Sequence, residues 1–149
     1  MIVQPTAQPD FGQLAVDPET VALYAQKLSK CFVSHNQGGV RLPVLKDVSL
    51  VVAAGSCVAL RGPSGSGKST FMRSLYANYR IDNGSIWVKH QGAWVNLPQL
   101  APHELITVSQ QTMGYVSQFL RVIPRVPALE VAAEPLIDLG VEGEAAKDT

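Results

Sequence analysis

Nine consecutive residues near the middle of the chain combine glycines, small hydroxyl side chains and one lysine. They match the pattern G-x-x-x-x-G-K-[ST] in full and read Gly62, Pro63, Ser64, Gly65, Ser66, Gly67, Lys68, Ser69 and Thr70. Glycines let backbone N–H groups approach a phosphate closely, and Lys68 adds a full positive charge. The Ser69 hydroxyl is an oxygen ligand of the kind that Mg²⁺ prefers. The segment therefore predicts a loop that binds the phosphates of a nucleotide together with Mg²⁺.

The residues on either side of this loop predict the elements that hold it. The run Cys57-Val58-Ala59-Leu60 is short and apolar, which is typical of a strand buried on both faces of a parallel sheet. After the loop, apolar side chains recur at helical spacing and predict a helix that ends at 82–84; they are Phe71, Met72, Leu75, Tyr76 and Tyr79. The order strand, loop, helix is the context that a phosphate-binding loop requires.

The rest of the chain predicts further strands and helices around this unit. Strands are expected at 21–33, 44–52 and 112–118, and a hairpin at 85–97 with its turn at Gln91-Gly92. A short helix is expected within 98–111, and a helical segment interrupted by proline at 120–140. Residues 1–20 contain several prolines and no periodicity, so they predict a mobile leader ahead of a domain at 21–149.

The composition limits the classes of function. The chain has 149 residues, with 12 basic against 12 acidic side chains, so no long-range field favours a nucleic-acid partner. Hydrophobic residues make up 46%, which excludes wholesale disorder. The most apolar stretch is shorter than the about 20 residues that a transmembrane helix needs, and no secretory signal is recognisable. Together with two cysteines that lack metal-site spacing, these features predict a cytoplasmic protein without a transmembrane segment.

Three features in sequence order resemble the ATP-binding subunits of ABC systems. They are Phe32 after the first strand, the loop at 62–70, and the sequence Gly-Tyr-Val-Ser-Gln that ends at Gln118. The resemblance implies an α/β fold of the P-loop NTPase class, an ABC-type nucleotide-binding domain with an antiparallel β subdomain. It also implies that Phe32 stacks on adenine, and that Gln118 reaches Mg²⁺ and the attacking water. From the residues alone, ordinary packing in the core or in a loop stays an alternative for Phe32.

Three other segments resemble one member of this family, the ATP-binding L subunit of the carbon-phosphorus lyase system. These segments are GVRLPVL at 39–45, RSLYANY at 73–79 and SQFLRVIPR at 117–125. The resemblance implies a cytoplasmic subunit of phosphonate metabolism that pairs with an ABC-type partner, in a homodimer or heterodimer, and works with the lyase core. Two alternatives are the ATP-binding subunit of an ordinary ABC transporter and a P-loop kinase with its acceptor site in 85–140.

The motifs of the second half of an ABC ATPase are missing from this sequence. No LSGGQ-like signature and no apolar strand ending in Asp-Glu is present, and His35, His90 and His103 all precede Gln118, so none can be the family's late histidine. These three histidines are expected on the surface or in loops. Only 31 residues follow Gln118, too few for the remaining strands and a helical subdomain. We therefore expect the N-terminal portion of a longer protein, incomplete in fold, which binds MgATP but does not hydrolyse it efficiently.

Overall fold

The structure is a computed structural model, and it describes residues 9–11, 17–34, 38–116 and 126–141. The chain divides into two compact units, Met1–Leu105 and Ile106–Thr149. The strands are β1 (Val21–Ser34), β2 (Val40–Ala53), β3 (Asn83–His90) and β4 (Ala93–Asn96), and the helices are α1 (Lys68–Leu75), α2 (Pro102–Gln111) and α3 (Ala128–Asp138). Two short 3-10 turns, Pro18–Thr20 and Leu97–Gln99, precede β1 and follow β4.

The first unit is built on an antiparallel sheet. Among the described residues four strands pair in the order β2-β1-β3-β4, and every pairing is antiparallel. The β1–β2 ladder shifts register at several points, so the buried positions of β1 do not simply alternate. The antiparallel part and the first two strands that the sequence predicts are confirmed, although β2 begins at Val40, earlier than expected.

The predicted hairpin is also confirmed. Strands β3 and β4 pair from Trp87 opposite Asn96 to His90 opposite Ala93. The two turn residues have positive φ angles, 50° at Gln91 and 81° at Gly92. A two-residue hairpin turn of type I′ requires positive φ at both positions. This turn chemistry is why a short Gln-Gly step between two apolar arms indicated the hairpin.

One apolar cluster in the first unit joins the hairpin to β1 and to a piece of the N-terminal segment. Its buried members are Val21, Tyr24, Trp87 and Trp94. The ring of Phe11 packs on this cluster, with its centroid 5.4 Å from that of Tyr24 and 5.5 Å from that of Trp94. Burial, and then the Asp10 carboxylate, raise the pKa of Tyr24. Residues 9–11 thus contact the sheet, although they belong to the segment predicted as a leader.

Three predicted elements differ from the structure. Residues 56–60 form no strand and Val58 is 45% exposed, because the described residues include no parallel strand to pair with them. Helix α1 ends at Leu75 and not at 82–84, since Ala77 takes a left-handed φ of 60° just beyond its end. Residues 113–116 form no strand, and the end of that predicted strand lies outside the described residues.

The second unit contains the end of α2 and the whole of α3. The helix within 98–111 is confirmed as α2, and Val108 in this unit is fully buried. The predicted helical segment is confirmed over Ala128–Asp138, but α3 continues through Pro135 where an interruption was expected. None of the helices in the described ranges has the length and apolar character that crossing a bilayer demands.

Candidate functional site

The loop at 62–67 leads directly into α1, as its sequence pattern predicts. Gly65 and Gly67 have left-handed backbones, with φ angles of 79° and 90°. Gly67 is the residue that caps the helix, and its carbonyl accepts the Phe71 N–H at 2.8 Å. Because glycine adopts these angles without strain, the loop can turn back on itself within a few residues.

The packing of Gly67 against β2 fixes the end of the loop. A Cβ atom at this position would lie 3.1 Å from the Val44 carbonyl oxygen and 3.3 Å from the Leu45 side chain. A side chain here would crowd β2 and would add strain at the left-handed φ angle, so glycine suits this position. Strand β2 therefore sets where the loop meets the helix, a contribution that the loop sequence by itself does not reveal.

The Lys68 side chain reaches back across the loop. Its Nζ donates hydrogen bonds to the carbonyl oxygens of Gly62 at 2.8 Å and Pro63 at 2.7 Å, and to Ser66 Oγ at 3.3 Å. These bonds place a full positive charge beside the backbone of the loop. Phosphate oxygens are stronger acceptors for an ammonium group than neutral carbonyls, so the same lysine can exchange these partners for an anion.

The start of α1 adds further donors at the same place. The N–H groups of the first helical turn have no partner within the helix, and they lie at the positive end of its dipole. No acidic side chain occurs in that turn, so no carboxylate competes for these donors. Ser69 lies in this turn and is exposed. The loop and the first turn of the helix together present donors that suit an anion, and the Ser69 hydroxyl lies in the same turn.

An aromatic ring from β1 lies beside this surface. Phe32 and the loop line one concavity of about 650 Å³ in the first unit; its lining consists of Phe32, Val44, Ser64, Gly65, Gly67, Lys68, Ser69 and Thr70. The sequence resemblance predicted a role for Phe32 near the loop, and the structure brings the two together. A half-buried ring next to phosphate donors fits a ligand that is anionic at one end and flat at the other.

Two side chains hold the Phe32 ring. Tyr79 contacts it in a T-shaped arrangement, with centroids 5.5 Å apart and planes inclined at 78°. Lys30 Nζ lies over the ring, 5.3 Å from its centroid. Sequence reasoning missed both residues, because it assigned Tyr79 to the apolar stripe of a longer helix and gave Lys30 no role.

A carboxylate fixes the β1 backbone next to Phe32. Asp82 accepts the Cys31 N–H at 2.6 Å through Oδ2 and pairs with Lys30 Nζ at 3.1 Å through Oδ1. The hydrogen bond from the Cys31 amide, and then the bond from Lys30, lower the pKa of Asp82. The sequence indicated Asp82 only as the end of a helix.

Other predicted residues take no part in the described site. Gln118 and His35 lie outside the described residues. His90 is 3% exposed at the end of β3, which contradicts the expected surface position, because the hairpin buries that end of the strand. Within the described ranges, no group of three histidine, cysteine, aspartate or glutamate side chains is arranged to hold a metal ion.

Comparison with known proteins places this geometry in a family context. The sequence model of a family described as "ABC transporter" matches residues 45–148. The lipoprotein-releasing system ATP-binding protein LolD of Coxiella burnetii is 37% identical over 118 residues, covering 79% of this chain and 48% of LolD. LolD of Bordetella avium is 38% identical over 116 residues, covering 78% and 47%. The chain thus spans about half the length of these curated relatives.

Solved structures show the same fold. The dimeric ABC transporter cassette MJ0796 superposes with a TM-score of 0.71 and 26% identity, over 85% of this chain and 53% of the cassette. The same cassette in a post-hydrolysis state, bound to ADP and Pi, superposes with a TM-score of 0.69. The predicted fold class, an ABC-type nucleotide-binding domain with an antiparallel β subdomain, is confirmed.

The prediction that this chain is the L subunit of the carbon-phosphorus lyase system is wrong. The most similar curated relatives reported above are lipoprotein-releasing ATP-binding proteins, and not L subunits of the carbon-phosphorus lyase system. The segment at 39–45 lies mostly in β2, and the segment at 73–79 covers the end of α1. Both segments therefore belong to elements of the shared fold, and they do not distinguish one branch of the family from another. The predictions that depended on it, a role in phosphonate metabolism with lyase chemistry and a lyase core as partner, are therefore wrong as well.

Proposed function

This chain belongs to the ABC transporter family, and from that premise we propose that it is the ATP-binding part of a transporter subunit. The observation that carries the proposal is the concavity in which Phe32 faces the loop at 62–70 and the start of α1. Phosphate donors and an aromatic ring in one cleft match the two ends of ATP.

The loop residues would bind the phosphates of ATP. Backbone N–H groups from Gly65 onwards and from the first turn of α1 would meet the phosphate oxygens, and Lys68 Nζ would leave the carbonyls of Gly62 and Pro63 to join them. The three loop glycines keep side chains out of this approach. Pro63, Ser64 and Ser66 complete the turn, and Thr70 closes it on the helix side.

The Ser69 hydroxyl fits a magnesium ion bound with the nucleotide. Mg²⁺ takes oxygen ligands, and Ser69 presents an exposed hydroxyl in the first turn of α1, next to Lys68. When bound, Mg²⁺ would neutralise part of the phosphate charge. The role of Gln118 as a second magnesium ligand and as an orienter of water rests on the family resemblance alone and stays part of the proposal.

Phe32 would take the base by stacking. An adenine ring against a phenyl face gains from offset contact, and such stacking contributes about 1–3 kcal/mol per base when measured by alanine substitution. The alternative, packing alone, is weakened by the position of Phe32, which lines the concavity and is only half buried.

The partners would be those of a transporter. The neighbouring cassette structure is a dimer, and the relatives are named for a lipoprotein-releasing system. These findings support a second ABC-type cassette, in a homodimer or heterodimer, and a membrane-embedded transporter component as the partners of this subunit. A place at the cytoplasmic face of the membrane follows from that assignment.

Binding and hydrolysis make different demands on this site. The loop and Lys68 stabilise ground state and transition state alike, whereas hydrolysis also needs a positioned water and charge stabilisation from a second side. The described residues supply the first requirement. We therefore propose that this chain binds MgATP and that efficient hydrolysis needs groups beyond it.

Replacing Lys68 tests the proposal directly. We expect Lys68→Ala to weaken ATP binding about 100-fold or more, because the positive charge that would pair with the phosphates is lost. Lys89→Ala is the matched control, since Lys89 pairs with Glu19 at 3.3 Å and does not line the concavity. Isothermal titration calorimetry of each variant with MgATP measures its affinity for the nucleotide. Unchanged binding by Lys68→Ala would refute the proposed phosphate site.

A further inference from the structure

We propose that Tyr79 is a positioning residue for the nucleotide base, because it holds the Phe32 ring in the orientation that a base can stack on. The inference rests on the proposed function, since it assumes that Phe32 stacks on the base. It adds a residue that acts through Phe32 and that does not itself line the concavity described above.

Tyr79 is fixed from the side of α1. Arg73 Nη1 donates to the Tyr79 hydroxyl at 2.8 Å, and the Arg73 guanidinium carbon lies 5.5 Å from the Tyr79 ring centroid. The Tyr79 N–H also donates to the Arg73 carbonyl at 3.2 Å. One residue of α1 therefore fixes both the backbone and the side chain of Tyr79.

Tyr79 in turn limits how the Phe32 ring can tilt. The two rings meet at 78°, a T-shaped contact that is one of the arrangements aromatic pairs prefer. Lys30 Nζ lies over the ring, and Asp82 holds that ammonium at 3.1 Å. Tyr79 contacts the Phe32 ring and Lys30 lies above it. These two contacts fix the orientation of the ring in the concavity before any ligand binds.

These contacts connect the two ends of the proposed nucleotide site. Helix α1 begins at Lys68, which serves the phosphates, and carries Arg73 about one and a half turns later. Through Arg73 and Tyr79 the same helix supports the ring that would receive the base. One helix, the short segment after it and one aromatic contact therefore connect the proposed phosphate donors to the ring that would stack on the base.

The test separates affinity for the base from affinity for the phosphates. Each variant is titrated with MgATP and with magnesium tripolyphosphate, which has three linked phosphates and no base. We expect Tyr79→Ala to weaken ATP binding about 2- to 10-fold and to leave tripolyphosphate binding unchanged within about twofold. We expect Tyr79→Phe, which keeps the ring, to recover most of the ATP affinity.

A double variant tests whether Tyr79 acts through Phe32. In Phe32→Ala the ring that Tyr79 supports is gone, so adding Tyr79→Ala should weaken ATP binding no further. Additive losses, or an equal loss for tripolyphosphate, would overturn the inference and leave Tyr79 with a general structural role. If Tyr79→Ala does not fold, Arg73→Gln takes its place, because Arg73 is exposed. We expect this variant to lose less ATP affinity than Tyr79→Ala would, and to keep its affinity for tripolyphosphate. Equal ATP affinities in Arg73→Gln and wild type would then overturn the inference.

The same titrations distinguish this inference from the function on which it rests. If Lys68→Ala keeps its ATP affinity, the phosphate site itself is wrong. If Lys68→Ala loses ATP but Phe32→Ala binds it normally, base stacking is wrong and the inference falls with it. If both behave as proposed and only the Tyr79 variants do not, the inference alone is overturned.

Discussion

Asp82 should make the free energy of unfolding depend on pH. Its pKa lies below the ordinary value of 3.8, first because of the Cys31 amide and then because of Lys30. A carboxyl group whose pKa is lowered by folding stabilises the protein fully above its ordinary pKa, and this contribution disappears as the pH falls through the lowered value. We expect the difference in free energy of unfolding between wild type and Asp82→Asn to be constant above about pH 5 and to shrink below pH 3.8.

Lys30→Met provides the matched background for this measurement. The substitution removes the ion pair at 3.1 Å but leaves the Cys31 N–H bonded to Oδ2. Because the hydrogen bond from the Cys31 amide is the largest single cause of the lowered pKa, part of the pH dependence should persist in this background. A wild-type to Asp82→Asn difference that does not change between pH 6 and pH 2.5 would contradict the assignment.

At the residue scale, the sequence predicted the groups that would contact a nucleotide better than the groups that support them. The loop at 62–70 is recognisable because its donors are neighbours in the chain. Lys30 and Asp82 are 52 residues apart, and no local pattern links them to Phe32. Tyr79 was visible as an aromatic residue, but the backbone turn at Ala77 gives it a partner that helical spacing did not predict.

The second residue of strand β3 is a glycine that the pairing with β1 requires. Gly84 has a φ of 104°, and a Cβ atom there would lie 2.6 Å from the carbonyl oxygens of both Gln26 and Lys27. This contact lies at the register shift between Gln26 and Ser29, where Lys27 takes a φ of 48°. We expect Gly84→Ala to lower the free energy of unfolding by roughly 2–5 kcal/mol, since it combines backbone strain with a clash against main-chain atoms.

Gly92→Ala is the control at the other end of the same strand. Gly92 has a φ of 81°, but a Cβ atom there would meet nothing within 4 Å. The substitution should cost only the backbone strain, about 1–2 kcal/mol. Urea unfolding of both variants gives the comparison, and equal losses would show that the close approach at Gly84 has no consequence.

At the element scale, the hairpin and the two long strands were predictable because turn residues and apolar arms are local features. The run at 57–60 was not, because an apolar segment becomes a strand only when a neighbouring strand supplies hydrogen bonds. Among the described residues the sheet contains no such neighbour for it. The length of α1 was overestimated for a different reason, since apolar spacing continued past the point where Ala77 leaves the helical conformation.

Phe11 links the N-terminal segment to the rest of the first unit. Its ring stacks on Tyr24 with an interplanar angle of 25° and lies tilted at 57° against Trp94. We expect Phe11→Ala to lower the free energy of unfolding by roughly 1–3 kcal/mol, because two aromatic contacts are lost. Phe11→Leu, which keeps apolar contact but no ring, should lose less.

Tryptophan fluorescence reports on this contact. The chain has two tryptophans, Trp87 and Trp94, and both belong to the cluster on which Phe11 packs. Their emission in the native state should shift to longer wavelength in Phe11→Ala as water reaches the cluster. Identical emission and an identical unfolding midpoint would mean that residues 9–11 contribute nothing to the fold.

At the scale of the whole molecule, the sequence placed the chain in the right family and in the wrong branch of it. The loop at 62–70, Phe32 and the antiparallel strands are features on which the fold could be identified, and a fold does not by itself identify the transported or converted substrate. The segments at 39–45 and 73–79 form part of β2 and of the end of α1. Similarity within such elements follows from the packing that they share.

The outer strand β2 carries a further consequence for how copies of this protein meet. It lies at one edge of the described sheet and is 14 residues long, with Val40 and Leu42 each 47% exposed. If such a long edge strand were flat, it would recruit a second copy by strand addition and lead to aggregation. Pro43 removes one hydrogen-bond donor from the row, Lys46 and Asp47 add exposed charges, and the register shifts against β1 bend it. The strand whose Val44 and Leu45 contact Gly67 of the loop therefore also carries features that keep its outer edge from acting as a template for self-association.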